Sequence, residues 1–345
     1  EKTDLNISPY YDDYSEDKNF HKVLFRAGRP IQARELTQSQ SILQNQIQKF
    51  GNHMFKEGSI VNGAESDIDM DVEYVKVNSD NPNTSGNAAV ASYLSGFKDK
   101  LIQGEESGCI ALVVNTEAQT ETEPDTLIVK YLQEGTDGTS TTAASVRFKG
   151  AEELREVTID ANGTATSASN NNEFKVKSLG DDPVGRASIA SVSEGVVFLR
   201  GYFVKVDKQV ITLEKYSGKP TYRVGINVVE SLVTSSEDNS LLDNAQGSTN
   251  ENAPGADRLK FALNLAKYTL TDVTDTNFIE LGRVNKGVIE LEVNRPIYNH
   301  IENTLARRTY DANGDFVIRQ FSHSFREHLL KDFNRGYYED YQGGD

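Results

Sequence analysis

Residues 196–226 read Val196-Val197-Phe198-Leu199-Arg200-Gly201-Tyr202-Phe203-Val204-Lys205-Val206, then Asp207-Lys208-Gln209-Val210-Ile211-Thr212-Leu213, and end on Tyr222-Arg223-Val224-Gly225-Ile226. Each apolar run is short and rich in β-branched and aromatic residues, and turn residues separate the runs: Gly201, Asp207-Lys208 and Ser217-Gly218-Lys219-Pro220. Runs of that length, so punctuated, are strands rather than helices. We read residues 196–230 as a β-meander. This stretch makes the chain mainly β.

Working outward, the same period-two signal recurs. Val72-Glu73-Tyr74-Val75-Lys76-Val77 alternates until Asn81-Pro82-Asn83 breaks it. Ile110 to Val114 and Thr126 to Tyr131 read as strands, with the polar loop Thr116–Pro124 between them. The Gly-, Ser-, Thr- and Asn-rich tracts at 134–145 and 160–173 read as exposed loops or hairpin tips. Towards the C-terminus, 234–257 is a long polar connection, a length that marks a functional loop or a linker. Strands are expected at 259–271 and 286–293, then a short helix at about 297–306. A hairpin should follow, in which 311–315 turns between Arg307–Tyr310 and Phe316–Phe321.

One segment breaks the β pattern. From Pro30 to residue 56 there is no further Pro and a single Gly before Gly58, and Leu36, Leu43, Ile47, Phe50 and Met54 recur at helical spacing. With Gln40 in the gap they form a heptad seam, Leu36, Leu43 and Phe50 at one core position and Gln40, Ile47 and Met54 at the other. Pro30 suits the first turn of such a helix and Gly58 its stop. The seam is short. It fits self-association, and it fits an ordinary amphipathic helix lying on a β domain. Residues 1–29 read as an irregular, acidic and aromatic arm. Its Tyr10, Tyr11, Tyr14, Phe20 and Phe25 could anchor the arm on another surface or on the chain's own body. The organisation expected is an N-terminal arm and helix (1–60), a β domain with variable polar loops (61–195) and a β-meander domain ending in a hairpin (196–345). The fold class is mainly β, with several sandwich or meander domains and one N-terminal amphipathic helix: α+β overall, elongated and multidomain.

Composition narrows function mostly by exclusion. The formal net charge is −16, the wrong sign for displacing counterions from nucleic-acid phosphates or for anionic membrane surfaces. No apolar run approaches the ~20 residues of a membrane span, and no signal peptide is read. The single cysteine, Cys109, sits in the apolar run Cys109–Val114, so an internal disulfide is impossible and a buried small hydrophobe is expected. Asp67, Asp69 and Asp71 alternate as calcium ligands could, but no Gly or Glu completes a calcium loop, and we expect a solvated acidic strand face. Asp311, Asn313 and Asp315 read as hairpin-turn chemistry. His21, His53, His300, His323 and His328 have no zinc spacing, and Glu327 beside the last two needs no chemistry to explain it. No nucleophile elbow, phosphate loop or dinucleotide fingerprint is present. The chain has no Trp, the residue carbohydrate clefts most use as a platform. No catalytic, cofactor or metal residues are assigned.

Several segments together resemble one family. Tyr10-Tyr11-Asp12-Asp13-Tyr14 with Lys18-Asn19-Phe20, Val23–Gly28, Ile31–Gln38, Ile42–Ile47 and Phe50–Ser59 are similar to the N-terminal signature of virion structural proteins of tailed bacteriophages. Such proteins are often described as tail-fibre or baseplate proteins that share a domain of unknown function. Leu242–Gly247, Ala253–Arg258, Leu305–Asp311 and Gly314-Asp315 are similar to the same family, whereas 80–195 matches poorly and reads as a variable insertion. The resemblance implies a non-enzymatic component of a phage tail, at the baseplate or where fibres attach, working by protein–protein assembly. The implied partners are other tail and baseplate proteins and further copies of the chain, a trimer being favoured, with no cofactor, nucleic acid or membrane. The implied location is the virion, assembled in the host bacterial cytoplasm. The alternative is a receptor-binding or tail-spike module contacting host surface glycans. Because the chain opens on Glu1 and its last residues, Tyr337 to Asp345, do not read as a domain end, a longer parent chain is expected.

Overall fold

The computed structural model describes residues 3–78, 94–136, 144–145, 147–159, 165–167, 175–247, 249–293, 296–298, 301–315, 329–331 and 335–337. The protein is mainly β with an N-terminal helix, α+β overall. After the arm comes α1 (Ala33–Met54), then β1 (Ile60–Gly63) and β2 (Ser66–Asp69). The next strands are β3 (Glu73–Lys76), β4 (Leu101–Gly104), β5 (Ile110–Glu117), β6 (Thr126–Gln133), β7 (Gly135–Thr136), β8 (Ala144–Ser145), β9 (Glu153–Ile159), β10 (Ala165–Ser167), β11 (Lys175–Lys177) and β12 (Val184–Arg186). They lead into β13 (Ser188–Val192), β14 (Gly195–Leu199), β15 (Tyr202–Val206), β16 (Gln209–Glu214), β17 (Tyr222–Val233), β18 (Arg258–Tyr268), β19 (Phe278–Asn285) and β20 (Val288–Glu292). Last are α2 (Ile301–Asn313) and the short hairpin β21 (Leu329–Lys331) and β22 (Arg335–Tyr337).

Strand pairing divides these elements into two bodies. Three small sheets, β1-β14-β15, β16-β13-β2 and β18-β17-β19-β20, share one core. Ile60, Ile68, Val192, Val197, Leu213, Ile226, Leu265 and Leu281 meet there, contributed by all three sheets. Between β2 and β13 the chain leaves to build an antiparallel sheet in the order β10-β9-β4-β5-β6-β3-β12, with β11 also on β9. Its own core includes Phe97, Ile102, Val113, Leu127 and Leu154. The chain enters this sheet on β3 and leaves on β12, and these two strands are paired, Glu73 opposite Arg186. The inserted body therefore begins and ends at one point. Val72, Ile128, Ala187 and Ile189 form a dry joint there, supported by Lys130 on Asp69 (2.9 Å) and by Asn115 Nδ2 donating to Thr212 Oγ1 (2.9 Å).

Several expectations need correction. The stretch 196–230 is not one meander: β14 and β15 form a hairpin on β1, β16 pairs with β13 in the second sheet, and β17 belongs to the third. Short turns do not dictate that consecutive strands stay in one sheet. Pairing also moves the boundaries, because β1 and β2 pair with β14 and β13; the inserted body runs from about 73 to 186, not 61 to 195. The helix starts at Ala33 rather than Pro30, fixed by a capping box in which Gln32 and Glu35 exchange hydrogen bonds. Arg307–Tyr310 are not a hairpin strand but the middle of α2. Ala165–Ser167, placed in a loop tract, pairs with β9. β19 was not anticipated. Phe316–Phe321, His323, Glu327 and His328, and most of the two polar tracts, lie outside the described residues.

Where the residue types decided the matter, the expectation stands. Cys109 is fully buried in the core of the inserted sheet. Asp67 and Asp69 lie on the outward side of β2, Asp69 meets Lys130, and Asp71 lies 3.6 Å from Arg186.

Candidate assembly surface

The helix α1 is mounted with its polarity reversed. Its inward face carries Gln38, Ser41, Asn45 and Gln48, with only Ile42 and Gly51 fully buried. Its seam points away: Leu36 is 52% exposed, Leu43 65%, Ile47 46% and Phe50 65%, with Met54 half-buried at the end. An ordinary amphipathic helix would turn those side chains inward.

Specific contacts hold the helix this way round. Gln44 Nε2 donates to the Gly201 carbonyl (2.6 Å) at the tip of the β14–β15 hairpin. That tip is a two-residue turn with positive φ at both Arg200 (+50°) and Gly201 (+84°), the twist-matched geometry for a tight hairpin. Gly51 lies flat on the Phe198 ring, and a Cβ there would overlap it. Beyond the helix, Phe55 packs on Phe198 (6.1 Å), Phe203 (6.0 Å) and Tyr298 (5.7 Å).

The arm supplies polar partners to the inward-side residues. Ser41 donates to Asp12, Gln38 to Asp13, and Asn45 Nδ2 to Glu16 (3.4 Å), while Lys49 pairs with Glu16. The Lys49 bond holds the Glu16 carboxyl below its ordinary range. The arm is pinned at two further points. The Tyr10 hydroxyl donates to Asp257 (2.6 Å), which pushes its pKa up, and the Thr3 amide donates to Glu230 Oε1 (3.0 Å). Glu230 is itself buried against Arg200, whose guanidinium also reaches Asn277.

The aromatic anchors therefore divide. Tyr10 and Tyr14 are half-buried and the Tyr10 hydroxyl is bonded to this chain's own body, whereas Tyr11, Phe20 and Phe25 remain exposed, together with Leu24 and Ile31. The acidic residues that fix the arm, and the roles of Ile42 and Gly51, were not foreseen. The one Gly inside the helical pattern was the available signal, since such a Gly usually has a packing reason. What the arrangement can do is associate: it presents an apolar, uncharged stripe in water. Among the described residues no helix is long and apolar enough to cross a membrane, and no group of three or more His, Cys, Asp or Glu side chains is placed to hold a metal ion.

One protein-family model, described as "Domain of unknown function (DUF4815)", matches residues 8–145 and 177–334. The unmatched interior, 146–176, covers β9 and β10 at one edge of the inserted sheet, a narrower segment than the variable 80–195 expected. No curated protein and no solved structure matches the chain.

Proposed function

We propose a role for this protein from the premise that the chain belongs to the DUF4815 family. In our reading it is a non-enzymatic structural component of a bacteriophage tail, at the baseplate or where fibres attach. It works by assembling with further copies of itself, a trimer being favoured, and with other tail proteins.

The observation that carries the assembly reading is the reversed mounting of α1. Turning polar side chains inward while leaving Leu36, Leu43, Ile47 and Phe50 in water is unfavourable for a lone chain, because apolar surface gains about 25 cal/mol per Å2 on leaving water. The arm carries further exposed apolar side chains (Tyr11, Phe20, Leu24, Phe25, Ile31) that an assembly could cover. Nine such side chains at roughly 100 Å2 each are of the order of the ~800 Å2 per partner of a stable interface. Charge favours a second copy: Leu36–Gln48 contains no charged residue in a chain of net charge −16, so like-charged copies can meet there without repulsion. The tail assignment itself rests on the sequence resemblance.

The role is tested on particles. Antibody raised against this chain should decorate the tail end of intact phage particles in electron micrographs, and the chain should appear among the proteins of purified virions. Its absence from virions of a phage that encodes it would remove the tail assignment while leaving the assembly reading open to its own test.

A further inference from the structure

We infer that the arm segment Phe20–Arg26 of one copy of this chain adds as a strand to the outer edge of β20 in a neighbouring copy; this rests on the self-association reading above and names a second contact within it. β20 is the last strand in the order β18-β17-β19-β20, and all five of its residues are exposed, Val288, Ile289 and Leu291 included. The opposite edge of the same sheet is closed by a side chain: Gln209 donates to the Leu263 carbonyl (2.7 Å) and receives the Leu265 amide (2.8 Å) on β18. Among the described residues nothing does this for β20, whose backbone pairs with β19 alone. An open apolar edge is a template for a further strand.

The arm segment complements that edge in backbone and in charge. Residues 20–26 lie outside any helix, turn or strand, and among the described residues the backbone of Phe20–Phe25 makes no hydrogen bond. Phe20, Leu24 and Phe25 are exposed and Val23 is half-buried. In a chain of net charge −16, Asn19–Arg34 contains no acidic residue, and Lys22 and Arg26 are exposed. β20 carries Glu290 and Glu292, and Glu65 and Asp67 share a groove with Glu292 in which Lys208 is the one cation among the described residues. A basic apolar segment and an acidic apolar edge attract where whole copies repel. Both stay exposed within one chain, so neither covers the other there.

One antiparallel register satisfies both kinds of contact. It sets Val23 opposite Leu291 and Phe25 opposite Ile289 on one face of the extended sheet. On the other face Lys22 falls opposite Glu292, and Arg26 lies diagonal to Glu290. Apolar and opposite-charge neighbours of this kind are the pairs that stabilise strand pairing. The contact joins two different surfaces, so it is head-to-tail, and repeated around an axis it closes a ring.

The test reverses charges on full chains. Lys22→Glu with Arg26→Glu, and separately Glu290→Lys with Glu292→Lys, change only exposed side chains and should leave the circular dichroism of the β bodies unchanged. Each pair should weaken self-association, read by light scattering over a dilution series, about tenfold or more. A chain carrying all four changes again places opposite signs across the contact and should recover most of that loss. The register is read separately, from two differently tagged, co-expressed chains, one with Val23→Cys and the other with Leu291→Cys. Cross-strand neighbours lie within disulfide reach and Cys109 is fully buried, so mild oxidation should join the two tags. Reversals that leave association unchanged, reversals that their combination does not rescue, or cysteines that never join overturn the inference and leave the self-association reading standing. A chain that is monomeric throughout overturns both.

Discussion

Glu230 joins the arm to the body. Its carboxylate receives the Thr3 amide and the Arg200 guanidinium, with both ion-pair side chains largely withdrawn from solvent. Burial alone would push its pKa up, but the Thr3 and Arg200 bonds outweigh it and the net shift is down. A carboxyl whose folded pKa lies below its unfolded value adds stability that is present above the unfolded pKa and lost as pH falls through the folded one. Urea unfolding should therefore show stability declining below roughly pH 4.3, the ordinary glutamate value, and Glu230→Gln should make that decline shallower. At neutral pH, Glu230→Ala should cost about 3 kcal/mol, because it leaves a largely desolvated guanidinium without its charge partner and with Asn277 alone; a loss well under 1 kcal/mol would mean the pair does not anchor the hairpin. Gly51 gives the second residue-scale test. Alanine gains about 1 kcal/mol over glycine in a helix interior, yet at Gly51 its Cβ would overlap the Phe198 ring. Gly51→Ala should lower the melting temperature in thermal unfolding, and a rise would show that α1 is not seated on Phe198.

At the scale of elements, α1 states the assembly claim in testable form. Leu43→Asp with Ile47→Asp changes only exposed positions, so the β bodies should keep their circular dichroism while self-association is abolished; loss of the β signal instead would show the seam to be part of the monomer's own core. How far the elements were legible follows from what each signal encodes. The positions of the seam were readable from period alone, as were β3, β5, β6, β14 to β17 and the burial of Cys109. Which way the seam faced was not readable, because the inward face is polar and its partners lie in the arm, whose acids looked like solvent-exposed charge. β19 escaped because its pairing slips at Arg283/Val284 against β20 and opposite Val224/Gly225 on β17, and a bulge breaks the period-two pattern that marks a strand. Arg307–Tyr310 misled for a related reason: a following Asn-Gly is strong hairpin chemistry, but here Asn313 ends a helix and Gly314, with φ +66°, follows it.

For the whole molecule, pairing between distant strands decides the architecture, and local sequence carries little of it. Nothing in residues 60–69 announces that they complete sheets with residues 188–214. The resulting layout makes its own prediction. Because β3 and β12 are neighbours, replacing 73–186 by a short Gly-Ser linker, with Val72 and Ile189 changed to Thr where the joint is uncovered, should leave a three-sheet body that unfolds cooperatively in calorimetry. A chain without a cooperative transition would mean that the two bodies are one folding unit. In our proposal this protein assembles through the outward face of α1. The measurement that reaches it most directly is the molar mass of the unmodified chain by light scattering behind size exclusion, over a range of loading concentrations. A closed oligomer is expected, with three times the 38.2 kDa of one chain as the favoured mass; a steady 38.2 kDa at every concentration would rule the proposal out.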